Sequence, residues 1–146
     1  MTGPAVFTIG YEGASLDAVI LRLRSAGVVQ VADVRAVAAS RRAGFSKTIL
    51  RTSLEEAGLD YVHLRDLGTP KAGREASRRG RVAEMRAIYA DQLATPEAEA
   101  AFAGLAALAR ERPTALLCFE ADPAGCHRCV LTERLAAAIG AVATDL

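Results

Sequence analysis

At 146 residues, with 51% hydrophobic and 24% charged side chains, the chain has the size and balance of one ordinary domain with its own core, which excludes intrinsic disorder. No apolar run nears the roughly 18–20 residues that span a bilayer, and the opening MTGPAVFTIG lacks the basic stretch of a secretory leader, so a cytoplasmic protein with no membrane partner is expected. The net charge of +1 conceals a segregation, because residues 35–86 sum to +6 between stretches 1–34 and 87–146 that sum to −1 and −4; a basic middle favours an anionic partner.

In chain order, AVFTIGYE (5–12) reads as a strand rich in β-formers and closed by Gly13. Ser15 then caps a helix with Leu16, Val19, Ile20 and Leu23 on one face, ended by Gly27. VVQVADVR (28–35) is the second strand. After the polar SRRAGF, Ser46 caps a helix carrying Ile49, Leu50 and Leu54, stopped at Gly58, and DYVHLRDL (60–67) is the third strand. Residues 68–80, GTPKAGREASRRG, show no apolar periodicity and read as a thirteen-residue loop, of the kind that is often functional. Helices are expected around 81–93 and 96–111, the second opened by Thr95 and Pro96. TALLCFEA (114–121) is a buried strand, followed by a helix from about 124 to 139 stopped by Gly140, and then AVATDL (141–146).

Strands that alternate with helices favour a parallel sheet, because each crossover must lie over a face. The expected architecture is a single α/β domain over residues 1–146, three-layered, with a mostly parallel sheet of about five strands and helices on both faces. In such sheets ligands sit beyond the carboxyl ends of the strands. That rule selects Gly10 to Glu12, Asp33 to Arg35, Arg65 with Asp66, and Cys118 to Glu120.

The last of these begins CFEADPAGCHRC (118–129), which holds all three cysteines and one of the two histidines. The stretch has four readings. As a metal clip, Cys118, Cys126, His127 and Cys129 are suitable donors, but the spacing lacks paired C-x2-C knuckles. Adjacent Cys126 and His127 on a helix would also point about 100° apart, so no metal and no other cofactor is expected. As a redox pair, Cys126 and Cys129 form C-x-x-C near a helix start, where a thiolate is favoured, yet they lie on the last helix with no proline after position 123. As a nucleophile, Cys118 or Cys126 would work with His127 and Glu120, although the sixth residue on is Ala124 or Thr132 rather than an arginine. As an anion pocket, the orphan N–H groups near 124–128 and the fork of Arg128 would hold a phosphate, with Glu120 and His127 handling protons and the cysteines packed.

TIGY at 8–11, DVR at 33–35, SRR with a following FS at 40–46, YVHL at 61–64 with Leu67 and Gly68, and C-x-E-x-x-P-x-x-C-H-R at 118–128 together resemble the domain-of-unknown-function 488 family, from the first strand to the last helix. The resemblance implies an α/β domain and supplies no reaction. It implies one site built from Tyr11, Asp33, Arg35, Ser40, Arg41, Phe45, Ser46, His63, Cys118, Glu120, Cys126, His127 and Arg128. Cys129 lies outside the motif, which weighs against any chemistry that needs it.

Alternation puts Asp33 and Arg35 on the same side of their strand, as a mutual ion pair or a substrate clamp. His63, in mid-strand, reads as a hydrogen-bonded core histidine, and Tyr11 as either packing or pocket wall. Arg74 to Arg81 is a mobile solvated segment or a flap that closes over an anion. The reading that emerges is an enzyme-like domain with a phosphate-recognising pocket. Its partner is an anionic small molecule, such as a nucleotide, or a nucleic acid. Catalytic candidates are Glu120, His127, Cys126 and Cys118, and binding candidates are Tyr11, Asp33, Arg35, Ser40, Arg41, Ser46 and Arg128. Its rivals are cysteine-dependent sulfur or redox chemistry and a non-catalytic nucleic-acid binding module that uses the basic surface of 35–86.

Overall fold

The computed structural model describes residues 4–146. Along the chain come β1 (Ala5–Gly10), α1 (Leu16–Ser25), β2 (Gln30–Asp33), α2 (Lys47–Glu56), β3 (Asp60–His63), α3 (Lys71–Arg78), α4 (Val82–Leu93), α5 (Pro96–Glu111), β4 (Thr114–Cys118), α6 (His127–Ile139) and β5 (Val142–Asp145). The strands form one sheet in the order β3-β2-β4-β1-β5, and every pair is parallel.

Strand side chains alternate between the two faces. Ile9, Val31, Ala115 and Leu117 pack on Val19 and Leu23 of α1 and on Leu50 and Leu54 of α2. Val6, Ala32 and Leu116 pack on the opposite layer, against Met85 and Tyr89 of α4, Leu105 of α5, and Leu131 and Leu135 of α6. The expected three-layer α/β fold is the observed one.

Neighbouring β1 and β4 send their chains to opposite faces, β1 into α1 and β4 into α6. Such a divergence opens a crevice at the carboxyl edge. The pairing runs up to that edge, with Gly10 opposite Cys118, and continues past it as Glu12 N–H donates to the Phe119 carbonyl at 2.8 Å. A Cβ on Gly10 would collide with the Glu120 carbonyl. Only glycine lets the chain leaving β4 cross the end of β1 this closely.

The first, second and fourth strands end earlier than expected, at Gly10, Asp33 and Cys118, and three further expectations change. The third strand stops at His63, and Arg65–Leu67 forms a 3-10 turn whose Leu67 carbonyl accepts the Tyr89 hydroxyl at 2.6 Å. The loop expected over 68–80 contains the two-turn helix α3. Its buried face is Gly73 and Ala76, side chains too small to register as an apolar pattern. The last helix begins at His127 rather than near 124, after a 3-10 turn at Pro123–Gly125. Ser15 and Thr95 cap as expected, accepting from Ala18 N–H and Ala98 N–H at 3.1 and 3.2 Å. Ser46 occupies the N-cap position of α2 but makes no cap bond. Its hydroxyl is engaged by Ser40, donating to that residue's carbonyl and accepting from its N–H, both at 3.2 Å.

Candidate functional site

The crevice holds a pocket of about 350 Å3. Tyr11 lines it from the end of β1, and Arg35, Ala36, Val37, Ala39, Ser40 and Arg41 from the chain that leaves β2. Thr69, Arg74, Ser77 and Arg78 come from α3 and its approach, and Cys118, Phe119, Glu120 and His127 from the end of β4 and the start of α6. Arg35 and His127, far apart in sequence, therefore line one hollow. Asp33, Ser46, Cys126 and Arg128 do not line it. They form the support behind its wall.

That support is densest at the end of β2. Arg35 is nearly closed to solvent at 6% exposure and grips the fully buried Asp33 side-on, Nε to Oδ1 at 2.8 Å and Nη2 to Oδ2 at 2.7 Å. Its Nη1 donates to the Tyr11 hydroxyl at 3.0 Å and the Phe45 carbonyl at 2.7 Å. Four of the five guanidinium N–H bonds are thus used inside the protein. Burial works against the charged form of Arg35, but the Asp33 carboxylate outweighs it and raises the pKa. Asp33 also accepts the Tyr61 hydroxyl at 2.5 Å; burial, and then that bond, push the Tyr61 phenol up. The Tyr11 ring stacks on Phe45 with centroids 4.2 Å apart and meets the edge of Phe119 at 5.4 Å. This aromatic group fixes the wall from which Arg35 looks out.

The two histidines hold successive carbonyls of the chain leaving β2. His63 Nε2 donates to the Arg35 carbonyl at 2.8 Å, and His127 Nε2 donates to that of Val34 at 2.7 Å. A carbonyl only accepts, so His127 carries its proton on Nε2 and keeps a lone pair on Nδ1. Burial drives its pKa down to about 4, which leaves the ring neutral at pH 7.

The lone pair of His127 faces sulfur. Cys126 is not a helical residue but the N-cap of α6, extended at φ −124 and ψ 147, and its Sγ lies 3.6 Å from His127 Nδ1. The expectation that the two side chains diverge by about 100° fails because the helix begins one residue later. The sulfurs of Cys118 and Cys126 meet, while their Cα atoms stand 8.0 Å apart. Cys129 is not part of this group. Its thiol contacts Glu133 Oε1 at 3.5 Å and Arg86 Nη1 at 3.9 Å on the outer side of α6, so the neighbour of Cys126 is Cys118 and not its C-x-x-C partner.

Arg128, expected among the anion binders, is 1% exposed and turns inward. Its Nη1 donates to Cys118 Sγ at 3.3 Å and the Glu120 carbonyl at 3.0 Å, and its backbone N–H reaches Cys126 Sγ at 3.4 Å. Its Nε has no partner. Among the described residues it forms no ion pair with a carboxylate, so the Glu120 carbonyl and the two sulfurs are the polar partners of this buried cation. The Cys118 thiol in turn donates to Glu120 Oε2 at 3.2 Å.

Sequence reasoning missed Thr69, Ser77 and Phe119, whose signals lie in tertiary placement, and it read Arg74 and Arg78 as part of a loop. Both project from the ordered α3, and Arg74 Nη1 is anchored on the Thr69 carbonyl at 2.9 Å. No curated protein and no solved structure matches the chain. A family model does, that of the domain of unknown function DUF488, over residues 15–135, a span that takes in the pocket's lining from Arg35 to His127, and the chain belongs to that family.

Proposed function

We propose that the pocket recognises a phosphate-bearing ligand, a nucleotide or a nucleic-acid backbone, and that the domain acts on it as an enzyme-like module. One observation carries this reading. Arg41, Arg74 and Arg78 converge on one pocket, and none of them pairs with a carboxylate among the described residues. Guanidinium groups left unpaired beside a hollow are ready to make forked, charge-assisted bonds to phosphate. Arg35, committed to Asp33, shapes the wall, and Glu120 on the opposite rim is the carboxylate placed to take or return a proton.

Calorimetric titration of the full chain with inorganic phosphate, a nucleoside monophosphate and a short single-stranded oligonucleotide tests this. The paired substitution Arg74→Gln and Arg78→Gln is expected to weaken binding on the order of 100-fold, two charged hydrogen bonds at about 1.5 kcal/mol each. Failure of all three ligands to bind, or equal binding by the double variant, removes the reading. Oligonucleotide binding with a steep salt dependence and no affinity for the mononucleotide selects a non-catalytic nucleic-acid binding module instead.

A second reading, cysteine-dependent sulfur transfer or redox chemistry, is favoured by the Cys118 sulfur, which lines the same pocket and receives an N–H from the buried Arg128. Incubation with thiosulfate followed by mass analysis addresses sulfur transfer. A persulfide sulfur on Cys118, taken from the sulfane position of thiosulfate with release of sulfite and absent in Cys118→Ser, selects it.

A further inference from the structure

We infer that Cys118, Cys126 and His127 form a zinc site at the floor of the pocket. Their ligand atoms, two Sγ and Nδ1, all lie within 4.8 Å of one another, and all three residues are buried. Zinc bonds of about 2.3 Å to sulfur and 2.0 Å to nitrogen at the tetrahedral angle put S and N about 3.6 Å apart. Cys126 Sγ and His127 Nδ1 are separated by 3.6 Å. The 8.0 Å between the Cα atoms of Cys118 and Cys126 exceeds the roughly 4.4–6.8 Å that a disulfide bridges. The sulfurs meet in the metal-free chain and would part to about 3.8 Å, the spacing of two thiolates on one tetrahedral zinc, as the ion enters between them.

The surroundings are those of a ligand set held from behind. The bond from His127 Nε2 to the Val34 carbonyl fixes the tautomer that leaves Nδ1 free for a metal. Each sulfur accepts an N–H from Arg128, Cys118 from Nη1 and Cys126 from the backbone. Binding zinc releases two thiol protons, and Glu120 Oε2 already accepts the one on Cys118. The two thiolates cancel the charge of the zinc ion, so the site adds no net charge beside Arg128, and the N–H bonds that Arg128 gives the two sulfurs become charge-assisted. Three protein ligands leave a fourth position open, as in catalytic rather than structural zinc sites. Since Cys118, His127 and Glu120 line the pocket, that position faces the space where an anionic ligand would lie.

The test needs no anion, so it fails or succeeds independently of the phosphate reading. The full chain is stripped with a chelator, titrated with cobalt(II), and back-titrated with zinc. The expected result is one cobalt per chain, with thiolate-to-metal absorption in the near ultraviolet, tetrahedral bands in the visible, and loss of both on adding zinc. Cys118→Ser, Cys126→Ser and His127→Gln should each abolish or shift these bands, and Cys129→Ser should leave them unchanged. If a variant fails to fold, the wild-type chain still decides, because stoichiometric zinc should protect Cys118 and Cys126 from alkylation while Cys129 reacts. Absence of tetrahedral cobalt bands in the reduced wild-type chain, bands that survive in a folded Cys118→Ser variant, or alkylation of Cys118 and Cys126 at the same rate with and without zinc overturns the inference.

Discussion

Arg35 and Asp33 face each other as a side-on pair, Nε to Oδ1 at 2.8 Å and Nη2 to Oδ2 at 2.7 Å, at the end of a strand buried on both faces. Removing one member of such a pair strands the other charge in the interior, at a cost of about 3–5 kcal/mol. Asp33→Ala and Arg35→Ala are each expected to lower the unfolding free energy by that amount in urea, with an unchanged denaturant slope. Arg35→Lys should recover only part of it, because a lysine cannot bridge both carboxylate oxygens or reach the Tyr11 hydroxyl and Phe45 carbonyl together.

Stability should also fall in alkali. Burial raises the phenol pKa of Tyr61 and of Tyr89 above the ordinary value of 10.0. Above about pH 10 the unfolded chain therefore sheds these protons while the native chain keeps them, and stability declines by about 1.4 kcal/mol per pH unit for each tyrosine until the native group titrates. Below that pH the contribution is fully present. Denaturant melts between pH 9 and 11.5 should show a shallower decline in Tyr61→Phe and Tyr89→Phe than in the wild type; parallel curves would rule the linkage out.

The Thr69 hydroxyl is buried without a partner and lies where a Cβ on Gly73 would have to go. Gly73→Ala alone should therefore fail to deliver the stabilisation of about 1 kcal/mol that alanine gives over glycine within a helix. In a Thr69→Ala background the obstruction is gone and the gain should appear. A double-mutant cycle measures this coupling, and additive effects would refute it.

The sequence carries the layer order and the side of the sheet each strand residue faces, because apolar runs and their periods follow directly from burial. Asp33 and Arg35 share a face for that reason. It does not carry α3, whose buried face is Gly73 and Ala76, nor the bonds from Arg35 to the Phe45 carbonyl and from Tyr61 to Asp33. Those depend on where loops and a neighbouring strand end in space. The Cys126 and His127 geometry was hidden by a helix start misplaced by about three residues, a shift that turns an N-cap into an interior position and swings its side chain away.

One tether joins the two halves of the pocket. Ser77, on the last turn of α3, donates its hydroxyl to the Gly125 carbonyl, in the 3-10 turn just before Cys126. Arg74 and Arg78 ride on the helix at one end of this strut, and Cys126 follows directly on the turn at its other end. The helix that bears the two arginines and the bend that precedes Cys126 therefore cannot shift independently while this bond holds.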